Sequence, residues 1–425
     1  MSNVKLNFIE NNKYVISNEI SNYKEDIIYL GKHIKKNLGL RKNPFTFKNK
    51  YLKVNGIAGT LLFKDIKKNI LPKNFNIKGN LKCEEYMLKK LYFNIVETNK
   101  NSLDKIIYIS KYNTQDLSEY NFLEFLAEQF IKDLNYSIRK GILSINENII
   151  EKRSFIRGKI LIQKQLQNNI MDPKIWCKYS GKSKKNDINN LLIWTCKYFL
   201  KVVKKVQIKK QLLKFINEFN DVKFDKLNLI KVKKIKCPIK YRNYYNCIEI
   251  AKSLYINNYN EIKFFHHEKI GGYAINMEKA FENILEYYLK IASRKLNLYH
   301  ESQSKMNLAK CDNVVEYFVK PDNIVKLDES VLIIDAKYKI QNKENRKPKR
   351  EDFYQMIATC IAYNTYKAIL IYPQIIGETK YENSWKLNNV INNNYIEISS
   401  RQLDILANSE TIENSLIEIL NEYLM

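Results

Sequence analysis

The stretch VKPDNIVKLDESVLIIDAKYK, Val319–Lys339, places a Pro-Asp pair and an Asp-Ala-Lys triplet at the ends of two apolar runs. Strand interiors usually exclude such groups, because burying a charge without a partner costs several kcal/mol. Two explanations are open. Either Asp322 caps a turn while Asp335 and Lys337 form a surface ion pair, or all three side chains share one site with a cation.

The run before the second aspartate predicts a central strand. Its two alternating sets of side chains are both apolar, as expected for a strand that is covered on both faces: Val331, Leu332, Ile333 and Ile334. Because side chains alternate along a strand, Asp335 and Lys337 lie on one face, and Ala336 points to the other. The sequence thus predicts a carboxylate and an amine side by side where the apolar run ends.

A hairpin brings in the other aspartate. If the chain turns at Asp328-Glu329, antiparallel pairing sets Asp322 directly opposite Asp335, and opposed residues share a face. A register slipped by one residue would put the two carboxylates on opposite faces. The spacing therefore permits a single cluster of Asp322, Asp335 and Lys337, although the sequence does not force it.

Two carboxylates this close repel each other, and a divalent cation removes the conflict. Mg²⁺ prefers one or two carboxylates, retained waters and a phosphate oxygen. The metal would lower the pKa of a bound water and stabilise charge on a scissile phosphate. Lys337 would orient the attacking water or help to deprotonate it.

Helices on either side of this hairpin offer two further polar residues. Glu282 borders the apolar stripe of the predicted helix INMEKAFENILEYYLKIA, and Gln355 lies above a narrow Ala/Thr face of the predicted helix EDFYQMIATCIAYN. The order of elements in the last part of the chain is helix, strand, strand, strand, helix, strand. This order predicts a mixed α/β layer with apolar central strands, flanked by helices.

The chain divides into three predicted regions: a β-rich part at 1–80, a mainly helical part at 81–244 and the α/β part at 245–425. In the first, strands are predicted to join at Gly56 and at Gly59. In the second, residues 201–219 predict one amphipathic helix, whose lysine face we interpret as solvated rather than as a DNA-binding stripe. Residues 231–240 predict a linker or an edge strand.

Composition limits the class of protein. The chain has 425 residues, 45% of them hydrophobic, which is enough for a sizeable core. Its formal net charge of +27, from 72 Lys+Arg against 45 Asp+Glu, suits a polyanion, nucleic acid first. Heavy use of Lys, Asn and Ile is equally expected from a codon bias towards A and T, so charge alone leaves both explanations open.

Several classes of protein are not supported by the sequence. The seven cysteines form no CxxC pair and the four histidines have no nearby cysteine partner, so we expect neither a disulfide scaffold nor a zinc site. The N-terminal residues do not resemble a signal peptide, and no stretch approaches the roughly 20 apolar residues of a membrane span. We therefore expect a cytoplasmic protein without membrane contact.

These motifs together resemble the PD-(D/E)xK nuclease superfamily, and in particular the McrC family, the nuclease subunit of McrBC-type modification-dependent restriction systems. The segment at 318–339 resembles the PD…DAKYK core of that family, and DFYQMIATCIAYN…AILIYP resembles its next helix and strand. INMEKAFENIL resembles its Phe-Glu helix, and Gln303 stands where the family often has a glutamine. Upstream, NGIAGTLLF…ILPK and FIRGKI, with Arg157 and Gly158, resemble its N-terminal and middle elements.

The resemblance implies a role for each matched residue. Asp322 and Asp335, with the backbone carbonyl of Ala336, would bind Mg²⁺, and Lys337 would act on the water. Glu282 and Gln355 would be accessory. It also implies DNA as the substrate and a hexameric AAA+ GTPase as the partner, which would bind GTP and recognise the modification. This chain has no G-x-x-x-x-G-K-[ST] motif of its own.

The sequence thus predicts a magnesium-dependent DNA endonuclease subunit of a phage-defence restriction system, which cuts with an AAA+ GTPase and stimulates its GTP hydrolysis. Two alternatives remain. One is a non-catalytic adaptor that only activates the GTPase, and the other is a stand-alone DNA repair nuclease.

Overall fold

The protein is described from a computed structural model. The structure describes residues 4–9, 13–16, 20–21, 24–65, 73–78, 107–109, 122–167, 172–220, 222, 225–264, 268–311, 314–339, 346–374, 380–391 and 394–424. Helices and strands occur together in every part of these residues, which confirms the predicted mixed α/β class. Among the described helices, none is both long and apolar enough to cross a membrane.

The N-terminal part is built mainly of strands. Its described elements are β1 (Val4–Ile9), β2 (Lys13–Val15), α1 (Lys24–Leu38), β3 (Phe45–Lys48), β4 (Tyr51–Val54), β5 (Ile57–Asp65), β6 (Lys73–Lys78) and β7 (Ile107–Ile109). The described strands form one sheet in the order β1-β6-β5-β11-β7 and a smaller one in the order β2-β4-β3. Strand β11 (Glu268–Asn276) comes from much later in the chain and lies inside the region predicted as the last domain. The N-terminal sheet is therefore completed only when the later chain is present.

One sequence prediction here needs correction, and one helix was missed. Gly56 does join β4 to β5, with a φ of +65° that favours glycine. Gly59, however, lies inside β5 and pairs with Ile77 on one side and Ala274 on the other, so the predicted second joint was wrong. Helix α1 was not predicted, although Ile27 and Ile34 are fully buried along one stripe.

The middle part contains helices and a sheet. Its described elements are α2 (Phe122–Arg139), β8 (Ile145–Arg153), β9 (Lys159–Ile160), α3 (Ile162–Leu166), β10 (Ile175–Ser183), α4 (Asp187–Val202), α5 (Val206–Asn217), α6 (Leu229–Lys234), a 3-10 helix (Ile239–Tyr244) and α7 (Tyr245–Phe264). The strands pair in the order β8-β10-β9. Sequence periodicity gave no signal for this sheet, whose side chains are mostly exposed or half-buried.

The single helix predicted over 201–219 is instead two helices. Val203 is extended between α4 and α5, and the Glu124 carboxylate accepts hydrogen bonds from the backbone amides of Lys204 and Lys205 at 2.6 and 3.2 Å. This contact from α2 satisfies the amides that the break exposes. The predicted linker or edge strand at 231–240 begins as α6, because Asn228 caps that helix by accepting from the amide of Lys231.

The C-terminal part carries the opening hairpin. Its described elements after β11 are α8 (Met277–Lys295), β12 (Tyr299–Ser302), β13 (Met306–Cys311), β14 (Val314–Val319), β15 (Asn323–Leu327), β16 (Ser330–Ala336), α9 (Arg350–Tyr363), β17 (Lys367–Pro373), β18 (Glu382–Ile391), β19 (Asn394–Leu403) and α10 (Ser409–Leu424). The described strands form a sheet in the order β12-β15-β16-β17-β19-β18. Strands β16, β17 and β19 are parallel, and the other neighbours are antiparallel. Strand β14 lies outside this sheet and pairs with β13 in a separate hairpin.

Strand β16 is central, and both of its faces are buried, as the sequence predicted. Leu332 and Ile334 join the largest core, which also contains Phe281 of α8. Ile333 belongs to a second core on the opposite face, together with Met356 of α9. The helices that flank the hairpin are thus held against the two faces of the strand that ends in Asp335.

We expect Ile333→Ala to lower the free energy of unfolding by about 2–5 kcal/mol, because it leaves a cavity in a fully packed layer. Chemical denaturation measures this loss. Val331→Ala, at a half-buried position of the same strand, is the control and should cost about 1 kcal/mol or less. Equal losses in the two variants would contradict the two-sided packing of β16.

Candidate active site

The hairpin register sets the two aspartates opposite each other. The β15–β16 ladder pairs Asn323 with Ile334, so one further step along both strands opposes Asp322 to Asp335. The turn is the predicted two-residue loop, and Asp328 adopts a positive φ of +49°, which aspartate tolerates better than most residues. The register predicted from the sequence is confirmed.

Contacts on both sides hold the Asp322 side chain. Its Oδ1 accepts a hydrogen bond from Gln303 Nε2 at 2.8 Å, and its Oδ2 accepts one from the backbone amide of Ala336 at 3.0 Å. Gln303 follows β12, and its own backbone amide donates to the Asp322 carbonyl at 3.0 Å. The carboxylate is therefore fixed between the two strands that flank β15.

Lys337 is the cation of the cluster. Its Nζ forms an ion pair with Asp335 Oδ2, and both side chains are largely buried. The same Nζ donates to Gln355 Oε1 at 3.3 Å, which connects the strand end to α9. Burial would lower the pKa of Lys337, but the carboxylates of Asp335, Asp352 and Asp322 outweigh burial and raise the pKa. Lys337 is thus held as a cation in a carboxylate-rich pocket.

Glu282 approaches the same cluster from α8. The helix begins where Asn276 accepts a hydrogen bond from the Lys279 amide, so Glu282 follows in the second turn. Glu282 is ion-paired with Lys279, yet burial, assisted by the nearby Asp335 carboxylate, raises the pKa of Glu282. Glu282 thus adds a third, largely buried acid whose charge interacts with that of Asp335.

Among the acids of this cluster, Asp322 has the most strongly raised pKa. Burial, followed by the charges of Asp335 and Glu282, raises the pKa of Asp322 to about 8. An acid with such a pKa is common where carboxylates share a site. In the absence of another positive charge, the cluster therefore retains a proton near neutral pH.

The residues present fit a divalent cation. Asp335 Oδ2 is buried, and its partner within the described part of the chain is the Lys337 ammonium. Among the described residues, no three or more His, Cys, Asp or Glu side chains converge on one ion position. Two carboxylates suit Mg²⁺, which keeps several waters, better than they suit a cation that needs a full protein cage.

Two residues of the cluster were not found from the sequence. Lys339 Nζ contacts both oxygens of the buried Asp352 at 2.7 and 2.8 Å, and Lys337 Nζ lies 3.9 Å from Asp352 Oδ1. A signal existed, because Asp352 lies three residues before Gln355 and therefore on the same face of α9. Every residue predicted for the site either contacts another member of this cluster or, like Glu282, interacts with the cluster through its charge.

The raised pKa of Asp322 predicts how the cation stabilises the fold. In an unfolded chain an aspartate titrates near about 3.9, whereas here the pKa is about 8. Between these values the folded chain keeps a proton that the unfolded chain loses, so stability falls as the pH rises through about 8. At low pH an added cation must displace the proton of Asp322. At high pH Asp322 is already ionised, so the cation binds without this cost.

We therefore expect Mg²⁺ to raise the melting temperature more at about pH 9 than at about pH 6, as measured by thermal denaturation. Asp322→Asn should lose this pH-dependent increment. The same Mg²⁺ effect at both pH values, or in the variant, would contradict a cation site at Asp322.

Comparisons with known proteins found a family match and similar solved structures. A family model described as McrBC 5-methylcytosine restriction system component matches residues 52–373. A chain in the refined half-complex from a tetradecameric assembly of Thermococcus gammatolerans McrB AAA+ hexamers with bound McrC superposes with a TM-score of 0.66 and 15% identity, over 99% of this chain and 100% of that chain. A chain in the Thermococcus gammatolerans McrBC complex, determined by cryo-EM, superposes with a TM-score of 0.45 and 14% identity, over 68% of this chain and 88% of that chain.

A search of curated protein sequences found no match. The family model nevertheless spans most of the chain, and it includes the hairpin, α8 and α9. The chain therefore belongs to the McrBC 5-methylcytosine restriction system component family.

Proposed function

We propose that this chain is the magnesium-dependent DNA endonuclease subunit of a McrBC-type restriction system, with a nuclease domain of the PD-(D/E)xK type. The observation that carries the proposal is the opposition of Asp322 and Asp335 across the hairpin, beside the ion-paired Lys337. An acid–acid–amine cluster where a covered strand ends is suited to phosphodiester hydrolysis. Membership of the family supports the same assignment.

Asp322, Asp335 and the backbone carbonyl of Ala336 would hold Mg²⁺. When bound, the ion lowers the pKa of a coordinated water and stabilises negative charge on the scissile phosphate. The buried Asp335 carboxylate, which lies opposite Asp322 and is paired with Lys337, supports this assignment. The Gln303 and Ala336 contacts hold the Asp322 carboxylate in place beside the end of β16.

Hydrolysis adds one water across one phosphodiester bond. The water oxygen bonds to phosphorus, the bond from phosphorus to the leaving sugar oxygen breaks, and one water proton ends on that oxygen. Lys337, held as a cation by Asp335 and Asp352, orients the water and faces the charge that develops on phosphate. Gln355 hydrogen-bonds Lys337, and Glu282, with its raised pKa, accepts or shares a proton nearby.

The partner would be an AAA+ GTPase of the McrB type. The solved relative with the same fold comes from an assembly of McrB AAA+ hexamers with bound McrC. We propose that this chain joins such a hexamer, stimulates its GTP hydrolysis and supplies the cutting site, while the hexamer binds GTP and recognises modified DNA. The non-catalytic adaptor predicts the same GTPase stimulation without cutting.

Asp335→Ala separates the nuclease from the adaptor. With the McrB-type partner, GTP, Mg²⁺ and modified plasmid DNA, we expect the variant to lose at least about 100-fold in cutting rate, because the metal loses its buried ligand. Gel analysis of the plasmid measures cutting, and phosphate release measures GTPase stimulation, which should persist.

Glu329→Ala is the matched control, since it removes one carboxylate at the exposed, opposite end of the same hairpin. It should cut at the wild-type rate. Persistent cutting by Asp335→Ala would refute the assigned site, and absence of cutting by the wild type together with full GTPase stimulation would favour the adaptor.

Asp352→Asn should slow cutting about tenfold without abolishing it, because Lys337 and Lys339 lose the buried charge that positions them. Single-turnover kinetics at saturating Mg²⁺ measures this rate. Glu351→Gln, an exposed neighbour on α9, serves as the control and should leave the rate unchanged. An unchanged rate in Asp352→Asn would show that the α9 carboxylate does not position Lys337.

A further inference from the structure

A basic segment leads into the helix that carries Gln355. It is defined by Lys347, Lys349 and Arg350, which are all exposed. Within the described part of the chain, no acidic side chain forms an ion pair with any of the three. This differs from the cluster a few residues away, where Lys337 and Lys339 are compensated by Asp335 and Asp352. The segment therefore presents three positive charges to solvent.

The structure holds this segment in place. Just before it, the Arg346 guanidinium stacks on the Tyr381 ring, 4.2 Å from the centroid, and the Arg346 carbonyl accepts from Asn383 Nδ2 at 3.4 Å. At its other end, the Lys349 carbonyl accepts from the Phe353 amide at 3.0 Å as α9 begins. Both ends are thus anchored, and the three charges are not part of a free tail.

An exposed aromatic residue adjoins these charges. Tyr354 follows Arg350 by four residues and so lies on the same face of α9, with 62% of its surface exposed. Basic side chains interleaved with an exposed ring are typical of surfaces that bind nucleic-acid strands. The next residue, Gln355, contacts Lys337 of the proposed catalytic cluster.

The distance from the site suits a DNA strand. Six residues separate Lys349 from Gln355, which corresponds to about 9 Å along a helix. Successive phosphates of one strand of duplex DNA advance about 3.4 Å along its axis, so this length covers about two to three phosphates. A backbone whose scissile phosphate lies at Lys337 would therefore reach the segment with the phosphates next to it.

We infer that Lys347, Lys349 and Arg350, with Tyr354, form a docking surface for the DNA backbone that flanks the scissile phosphate. This surface does not distinguish DNA sequences, because contacts to phosphate groups carry no sequence information. It sets the position of the strand relative to Asp335 and Lys337. This inference rests on the proposed nuclease function. It adds the part of the protein that holds the substrate strand beside the site.

The test uses the full-length variant Lys347→Ser/Lys349→Ser/Arg350→Ser and a fluorescent duplex of mixed sequence, without divalent metal, so that binding is measured alone. Loss of three phosphate contacts should reduce the slope of log affinity against log salt by about 2 to 3, since each contact contributes about 0.9. Affinity at moderate salt should fall at least about tenfold.

The matched control is Lys209→Ser/Lys210→Ser/Lys214→Ser, which removes the same charge from α5. It should retain the wild-type slope. An unchanged slope in the first variant, or an equal change in both, overturns the inference, because then only net charge matters. Retention of the Mg²⁺-dependent rise in melting temperature confirms that the first variant is folded with its metal site intact.

The binding and cutting experiments distinguish failure of this inference from failure of the nuclease assignment. If the wild type cuts DNA and the first variant binds with the wild-type slope, the surface is wrong and the nuclease stands. If Asp335→Ala cuts as well as the wild type while the first variant loses its salt-dependent binding, the assigned site is wrong and the surface stands.

Discussion

The opposition of two carboxylates across one hairpin is the constraint on which the site depends. Antiparallel pairing of β15 with β16 holds the side chains of Asp322 and Asp335 close together. The two-residue turn fixes the register that sets them opposite each other. Burial, and after it the repulsion from Asp335 and Glu282, raises the pKa of Asp322 to about 8. The folded chain therefore holds two carboxylates that repel each other. A proton relieves this repulsion in part, and a divalent cation would relieve it more fully.

The surrounding structure explains why this conflict is tolerated. Strand β16 is covered on both faces up to Ile334, so the apolar layers contribute the stability that the charged strand end costs. The charged residues follow Ile334, and they form ion pairs: Lys337 pairs with Asp335, and Lys339 pairs with Asp352. Helix α9 takes part in both roles, since its apolar face packs on the sheet while its first turns supply polar partners.

Sequence reasoning succeeded where contacts are local. Hydrophobic alternation and turn length were enough to predict the β15–β16 register, because both strands and their turn lie within one short segment. It failed where distant segments pair, as when β11 joins the N-terminal sheet. Asp352 was missed for a related reason: it shares a face of α9 with Gln355, but its partner Lys339 lies outside the helix, thirteen residues away.

The pairing of β11 makes the site depend on both sheets. Asn276 ends that strand and also caps α8, and the amide of Met277 donates to the Gly56 carbonyl at 3.1 Å. The start of the helix that carries Glu282 is therefore fixed by residues more than two hundred positions upstream. Glu282 approaches the aspartates only if α8 starts at this joint, because a helix rotates its side chains by a fixed angle per residue. The C-terminal residues alone contain the chemical groups of the site, but their geometry requires the N-terminal sheet as well.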